Sequence, residues 1–244
     1  MKTIDINCDL GEGVDDEELL MPYISSCNIA CGGHFGDENT VRKTIQLALK
    51  NNVKIGAHPS FPDKENFGRK IINISPKDLK LSIQTQLDLI KKQLFASDEK
   101  LHHIKAHGAL YNLIAKDGKS ASLYLDSVKD YANEVYLYVP YNSAIEKLAK
   151  ERGFKIKYEV FADRNYNNDL SLVARSASNA LITDSKEVFR HVLNMIQKNA
   201  VITIEDIEVP VIADTFCVHG DNKNALIILS ELTSLLKQQN IRIV

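Results

Sequence analysis

The sequence predicts an α/β fold built from parallel β/α units, and three observations predict it. Short apolar runs alternate with helix-period stretches from one end of the chain to the other. No Pro/Gly/Ser-rich linker, low-complexity stretch or internal repeat interrupts them. Polar residues gather where the apolar runs end. This order of elements needs crossover connections that point all strands the same way. Seven such units suffice to close a barrel, and a doubly wound open sheet is the alternative with the same order. A single domain over residues 1–244 is expected.

Strands are predicted at TIDIN near residue 5, CNIA near 29, VKIGA near 55 and HHIKA near 104, then at VYLYV near 137, IKYEVF near 158 and TFCV near 216. Between the second and third lies a helix from Glu38 to Asn52. The helix Pro76–Phe95 has Ser75 as N-cap, proline at its first position, and one apolar stripe of Leu79, Ile83, Leu87, Ile90 and Leu94. A helix lined by Ile145, Leu148 and Ala149 stops at Gly153. DSKEVFRHVLNMIQ opens on a capping-box-like Asp184/Glu187 pair and turns Val188, Val192 and Ile196 inward. VITIEDIEVPVIA reads as a hairpin before the last strand, and Ala225 to Gln239 closes the series.

The 244 residues are 44% hydrophobic and 25% charged, enough for one sizeable core. A net charge of -2 gives no electrostatic reason to expect nucleic acid or an acidic membrane. No apolar run approaches the roughly 18 residues of a membrane span, and MKTIDINCDL lacks the build of a signal peptide. Cys8, Cys27, Cys31 and Cys217 include no CxxC pair and sit in strand-like runs, so they read as small buried side chains in a reducing cytoplasm.

Parallel units bring the carboxyl ends of their strands to one edge, which carries active sites. Just past those ends stand DLGEG, GGHFGD, HPS, HGALYN, FADRNY and HGD. His34, His58, His107 and His219 lie there, with His103 at the margin. Strand parity puts Asn7 with Asp9, Lys105 with His107, and His219 with Asp221 on shared faces. Lys105 and His107 in one dry pocket would lower each other's pKa and suit proton transfer; in the plainer alternative Lys105 salt-bridges a core-end carboxylate. Asp9, His34, His58 and His107 offer donors for zinc or manganese, although no HExxH is present. Arg69, or Arg164 beside Asp163 and beyond Glu159, offers a clamp for carboxylate or phosphate, or else ties loops together. Glu12 and Asp37 stand in glycine-bearing loops, some leading into helix N-termini able to hold phosphate. No GxxxxGK[ST] and no GxSxG is present. His191 reads as a surface residue.

The blocks IDINCDLGEG, SSCNIACGGHFGDENT, VKIGAHPSFPDKENFGR, IKAHGALYN, EVFADRNY and TFCVHGDNKNA together resemble the LamB/YcsF family, the A component of prokaryotic ATP-dependent 5-oxoprolinase. Where the family usually reads CGFHAGD, this chain has Gly33 and Phe35 about its histidine. The resemblance implies a (β/α)7 barrel similar to those of the glycoside hydrolase/deacetylase superfamily. It implies cleavage of 5-oxo-L-proline to L-glutamate coupled to hydrolysis of ATP, with Mg2+ and with separate subunits B and C. On that basis Lys105 and the loop amides would neutralise phosphate, and Asp9, Glu12 or Asp221 would hold magnesium. His34, His58, His107 and His219 would serve as acids and bases, and Arg69 or Arg164 as the carboxylate clamp. Two other readings use the same edge: a metal-dependent deacetylase or amidohydrolase needing no ATP, and a non-catalytic binding subunit.

Overall fold

In the computed structural model, residues 2–14 and 17–244 are described. The chain runs β1 (Lys2–Leu10), α1 (Glu17–Leu20), β2 (Ser26–Ala30), α2 (Glu38–Lys50), β3 (Lys54–His58), α3 (Pro76–Phe95), β4 (His103–Ile104), α4 (Gly108–Lys116) and α5 (Gly118–Ser127). It continues through β5 (Tyr136–Pro140), α6 (Ala144–Glu151), β6 (Lys155–Phe161), α7 (Ser185–Lys198), β7 (Ala200–Ile202), β8 (Glu208–Pro210), β9 (Thr215–His219), α8 (Ala225–Gln238) and β10 (Ile241–Ile243).

All seven expected strands form, and they pair in parallel in the order β1-β2-β3-β4-β5-β6-β9. Pairing of β9 back onto β1, with Asp9 opposite His219, closes the sheet into a barrel and rules out the open alternative. β10 adds in parallel to the outside start of β1, and β7 with β8 makes the expected antiparallel hairpin beside the barrel.

Strand alternation explains what fills this barrel. Ile4, Ile6, Cys8 and Leu10 of β1 take one parity, with Ile29, Ile55, Ala57, Ile104, Leu137, Val139, Val160, Phe216 and Val218 equivalent on the other strands, and all are buried in the core. This outward face packs beneath the helices. The α3 stripe Leu79, Ile83, Leu87, Ile90 and Leu94 is buried as its spacing predicts, each such side chain contributing about 1.5–3 kcal/mol. The opposite parity, Asp5, Asn7, Asp9, Ser26, Asn28, His58, His103, Lys105, Glu159, Thr215, Cys217 and His219, is also buried but mostly polar.

Polar groups inside a barrel must satisfy one another. At the base Asp5 accepts from Ser26 (2.7 Å) and from Ser25 (2.9 Å). One layer up, Asn28 Nδ2 donates to Asn7 Oδ1 (2.7 Å) and Asp9 Oδ1 (2.8 Å), while its Oδ1 accepts from His103 Nε2 (2.7 Å).

Two helices are added to the expected elements, and one expectation is corrected. Residues 108–127, to which sequence pattern assigns no helix, form α4 and α5, because the apolar spacing of Leu110, Tyr111 and Ile114 is cut by the Asp117 cap before a second helix. His191 is not a surface residue: burial pushes its imidazole down to about 4, and its Nε2 is buried without a partner.

Candidate active site

Five of the six strand-end segments contribute to the lining of a cavity of about 210 Å³ at the carboxyl mouth of the barrel; GGHFGD does not. Asp9, His58, Lys105, His107, His219 and the buried Arg164 line it, with the part-exposed Arg69 and Arg175.

At its floor Lys105 Nζ lies 2.8 Å from Asp9 Oδ1 and 2.9 Å from Glu159 Oε1, and 3.1 Å from Cys217 Sγ. Burial disfavours the ammonium, but Asp9, Cys217 and Glu159 outweigh it and hold the Lys105 pKa well above the ordinary range. The expected mutual lowering of Lys105 and His107 therefore does not occur at the lysine. Its charge is already countered by carboxylates, as in the plainer alternative. Burial likewise opposes ionisation of Asp9, yet His58 and Lys105 keep its carboxyl well below the usual range.

Above this layer two imidazoles face each other. His58 Nδ1 donates to the Lys105 carbonyl (2.9 Å) and His107 Nε2 donates to the Phe67 carbonyl (3.0 Å). A carbonyl oxygen only accepts, so each neutral ring has its one proton engaged there. His58 Nε2 and His107 Nδ1, 3.0 Å apart, then present lone pairs to each other. That contact is repulsive unless a cation, a proton or a metal ion, lies against both. Asp9 Oδ2 lies 3.4 Å from His58 Nε2 and Glu12 Oε1 lies 3.4 Å from His107 Nδ1.

Asp9, Glu12, His58 and His107 thus offer ligand atoms that all lie within 4.8 Å of one another. The spacing and donor types fit a divalent ion, whose tetrahedral ligands at about 2.0–2.2 Å sit roughly 3.3 Å apart. Backbone carbonyls behind both rings are the usual supports of metal-binding histidines. Charge fits too. Around Lys105 the buried carboxylates of Asp9, Glu12 and Glu159 outnumber the ammonium, and burial, then Asp9 and Asp221, pushes the Glu12 pKa well up. A dication would restore the balance.

His34, one of the four candidate donors in the sequence, is not part of this group, in which Glu12 takes the fourth place. Its ring stacks on His107 (centroids 3.7 Å, 3°) and its Nε2 meets Glu12 Oε1 at 2.9 Å, so it supports Glu12 instead. Burial, then His58, drives its pKa down to about 2. Gly33, beside it, leaves room for the Gln86 amide, which accepts from Ser60 N–H and donates to the Ser60 carbonyl, both at 2.9 Å.

At the carboxyl ends of β6 and β9, Asp163 Oδ1 accepts from His219 Nδ1 (2.8 Å), and Asn222 Nδ2 donates to Asp163 Oδ2 (3.1 Å). Burial resists the Asp163 charge, but His219 and these hydrogen bonds hold its pKa low. The carboxylate so fixes the His219 tautomer, leaving Nε2 for the cavity that the ring lines.

The remaining expected residues are placed as follows. Asn7 sits one layer below the cavity, giving its amide to Thr215 Oγ1 (2.7 Å). Asp37 is exposed and uses its carboxylate to cap α2 through Thr40 N–H (2.9 Å), so it does not reach the cavity. Arg164 lines the cavity, but its guanidinium donates to the carbonyls of Val173 (2.6 Å) and Ala180 (3.2 Å), pinning the loop after β6. Asp221 is gripped by Arg69 and by Arg175 (3.0 Å), which leaves it poorly disposed to hold magnesium. Arg175 and Asn28 were missed. Arg175 lies in an irregular loop that no periodicity addresses; Asn28 could have been found, being a lone amide on the inward parity of CNIA opposite Asp9.

Fold and site together define a closed parallel β/α barrel with a buried histidine–carboxylate centre at its carboxyl mouth. The LamB/YcsF family matches the chain over residues 4–244, and the chain belongs to that family. It is 38% identical to the A component of 5-oxoprolinase from Pyrococcus abyssi (99% of this chain, 96% of the relative) and 42% identical to that of Shouchella clausii (100% and 98%). It superposes on the lactam utilization protein from Thermus thermophilus with a TM-score of 0.92 at 32% identity, covering 100% of this chain and 99% of the other. A putative cellobiose-phosphate cleavage protein from Enterococcus faecalis shares the fold (TM-score 0.60, 12% identity, 100% and 97% covered). Among the described residues no helix is long and apolar enough to cross a membrane.

Proposed function

We propose that the chain is the ring-opening component of an ATP-dependent 5-oxoprolinase, working with subunits B and C to convert 5-oxo-L-proline to L-glutamate. The observation that carries this reading is the buried centre of Asp9, Glu12, His58 and His107, three of which line one small cavity together with the Asp163-bound His219, in a chain so similar to proteins of that name.

A five-membered lactam is a resonance-stabilised amide and a poor electrophile. Transfer of the γ-phosphoryl group of ATP to its oxygen gives an imidate that water attacks. One water adds to the former carbonyl carbon and the ring C–N bond breaks, leaving an acyl phosphate; a second water releases phosphate and the new carboxylate. His219, oriented by Asp163, takes the proton from the attacking water and returns one to the departing ring nitrogen. Lys105 ties Asp9 and Glu159 in place as immobile walls. Asp9, Glu12, His58 and His107 would hold a divalent metal, which when bound supplies Lewis-acid stabilisation of the developing oxyanion. A cavity of about 210 Å³ is smaller than the roughly 300–1,000 Å³ of typical ligand sites. It suits the lactam, with the nucleotide and its Mg2+ bound mainly by subunits B and C.

The four-donor centre also favours a second reading, a metal-dependent amidohydrolase that needs no ATP. One assay separates them: the purified chain, with and without subunits B and C, is given 5-oxoproline and followed for glutamate and ADP. The first reading expects both products together, and only in the full mixture with ATP. Glutamate formed without ATP and abolished by a chelator would transfer the case to the second.

A further inference from the structure

We propose that Arg69 and Arg175 are the clamp for the substrate's carboxylate, and that Asp221 occupies this clamp as an internal stand-in until an acidic lactam displaces it. The inference rests on the proposed function and adds how the substrate is selected.

Three loops build the feature. Arg69 follows β3 and is held by a turn in which Gly68 N–H donates to the Asp63 carbonyl (2.8 Å) and Asp63 Oδ1 accepts from Asn66 N–H (3.1 Å). Arg175 follows β6, two residues beyond the Val173 carbonyl that Arg164 pins. Asp221 follows β9. Arg69 Nη2 and Arg175 Nη1 (3.0 Å) both donate to Asp221 Oδ2, and Arg175 Nη2 reaches Oδ1 at 3.5 Å. A carboxylate held by two guanidiniums is the arrangement by which proteins bind carboxylate ligands.

The arrangement also solves an electrostatic problem. Asp9 and Glu159 stand about Lys105 at the cavity floor, which disfavours placing the substrate's own carboxylate there. Positive charge is concentrated at the rim, where Arg69 and Arg175 line the same cavity as Asp9, His58 and His219. A lactam with its carboxylate at the rim therefore points its ring toward the histidines. Arg164 is less free for this role, since its Nε and Nη2 groups donate to backbone carbonyls and tie it to the loop after β6. Side-chain exposures of 38%, 31% and 24% for Arg69, Arg175 and Asp221 keep the ion pairs in contact with water, where such pairs exchange readily.

The test compares dissociation constants, measured by calorimetry in the assembled complex without ATP, for 5-oxoproline and for 2-pyrrolidinone, the same ring without a carboxylate. Replacing Arg175→Ala is expected to weaken 5-oxoproline about tenfold or more, losing a charge-assisted pair. Asp221→Ala, or Asp221→Asn if the alanine variant folds poorly, is expected to tighten 5-oxoproline by emptying the clamp. Binding of 2-pyrrolidinone should stay within about twofold throughout, since it makes no charged contact there. If the triad is only a loop staple, the Arg175 and Asp221 variants will shift both lactams in parallel and in the same direction, and the proposal falls. If both lactams bind the native complex and their preference is unchanged in every variant, the clamp alone is refuted. If neither lactam binds the native complex, the proposed function is refuted and the clamp with it.

Discussion

Lys105 shows most sharply how a residue can be visible in sequence and still be misread. A lysine on an inward strand position is costly unless used, which marks it as important; the carboxylates that hold it, Asp9 and Glu159, lie 96 and 54 residues away in sequence and become neighbours only when the barrel closes. Its role is therefore to balance charge. Lys105→Ala should leave Asp9 and Glu159 buried and uncompensated, costing about 3–5 kcal/mol of stability, measurable by urea denaturation; a change below about 1 kcal/mol would mean the pair is dispensable. The facing imidazoles carry a second prediction. Titration with Co2+ should give the absorption bands of a low-symmetry site in the native chain and none in His107→Gln, since the glutamine has no lone pair on nitrogen to offer. Absence of binding in the native chain would leave a shared proton between His58 and His107.

Elements were far more legible than contacts. Period-2 and period-3.6 patterns located all seven barrel strands and the long helices, because these depend on neighbours in sequence. Helices α4 and α5 escaped because their apolar spacing is broken after two turns, and the tie of the Arg164 loop escaped because it is made with backbone carbonyls. The glycines separate in the same way. Gly68, at φ +63°, would place a Cβ 2.9 Å from His34 Cβ and 3.0 Å from His107 Cδ2, and its carbonyl accepts from Ala109 N–H at the start of α4 (3.0 Å). The loop after β3 thus passes against the histidine cluster with no room for a side chain. Gly68→Ala should cost roughly 1–3 kcal/mol from backbone strain and crowding, seen as a lowered Tm, and should disturb cation binding at His107. A stable variant with intact Co2+ spectrum would show that the loop yields freely.

At the scale of the whole molecule, imidazoles held neutral by burial make folding sensitive to acid. Burial lowers His34 to about 2 and His102 and His191 to about 4, each below its ordinary value near 6.5. Below pH 6.5 the unfolded chain binds protons on these rings that the folded chain refuses, so the unfolded state gains and stability falls as pH drops. A well-buried ring such as His34 or His191 contributes about 1.4 kcal/mol per pH unit until its folded pKa is reached. The half-buried His102 contributes less, because water screens it. Denaturation midpoints measured from pH 7 to pH 4.5 should decline steadily; a flat or rising profile would mean these rings are not held neutral. The architecture, one inward polar face under one outward apolar face, could be read from strand parity, whereas the partners of each polar group required closure of the sheet. The central claim is that the centre at the barrel mouth opens the lactam. It is tested most directly by the rate of glutamate formation from 5-oxoproline and ATP in the assembled complex carrying His58→Asn, with its folding verified by Tm. A loss of about a thousandfold is predicted, in line with removal of a group that stabilises the transition state; a rate near that of the native complex would contradict the account.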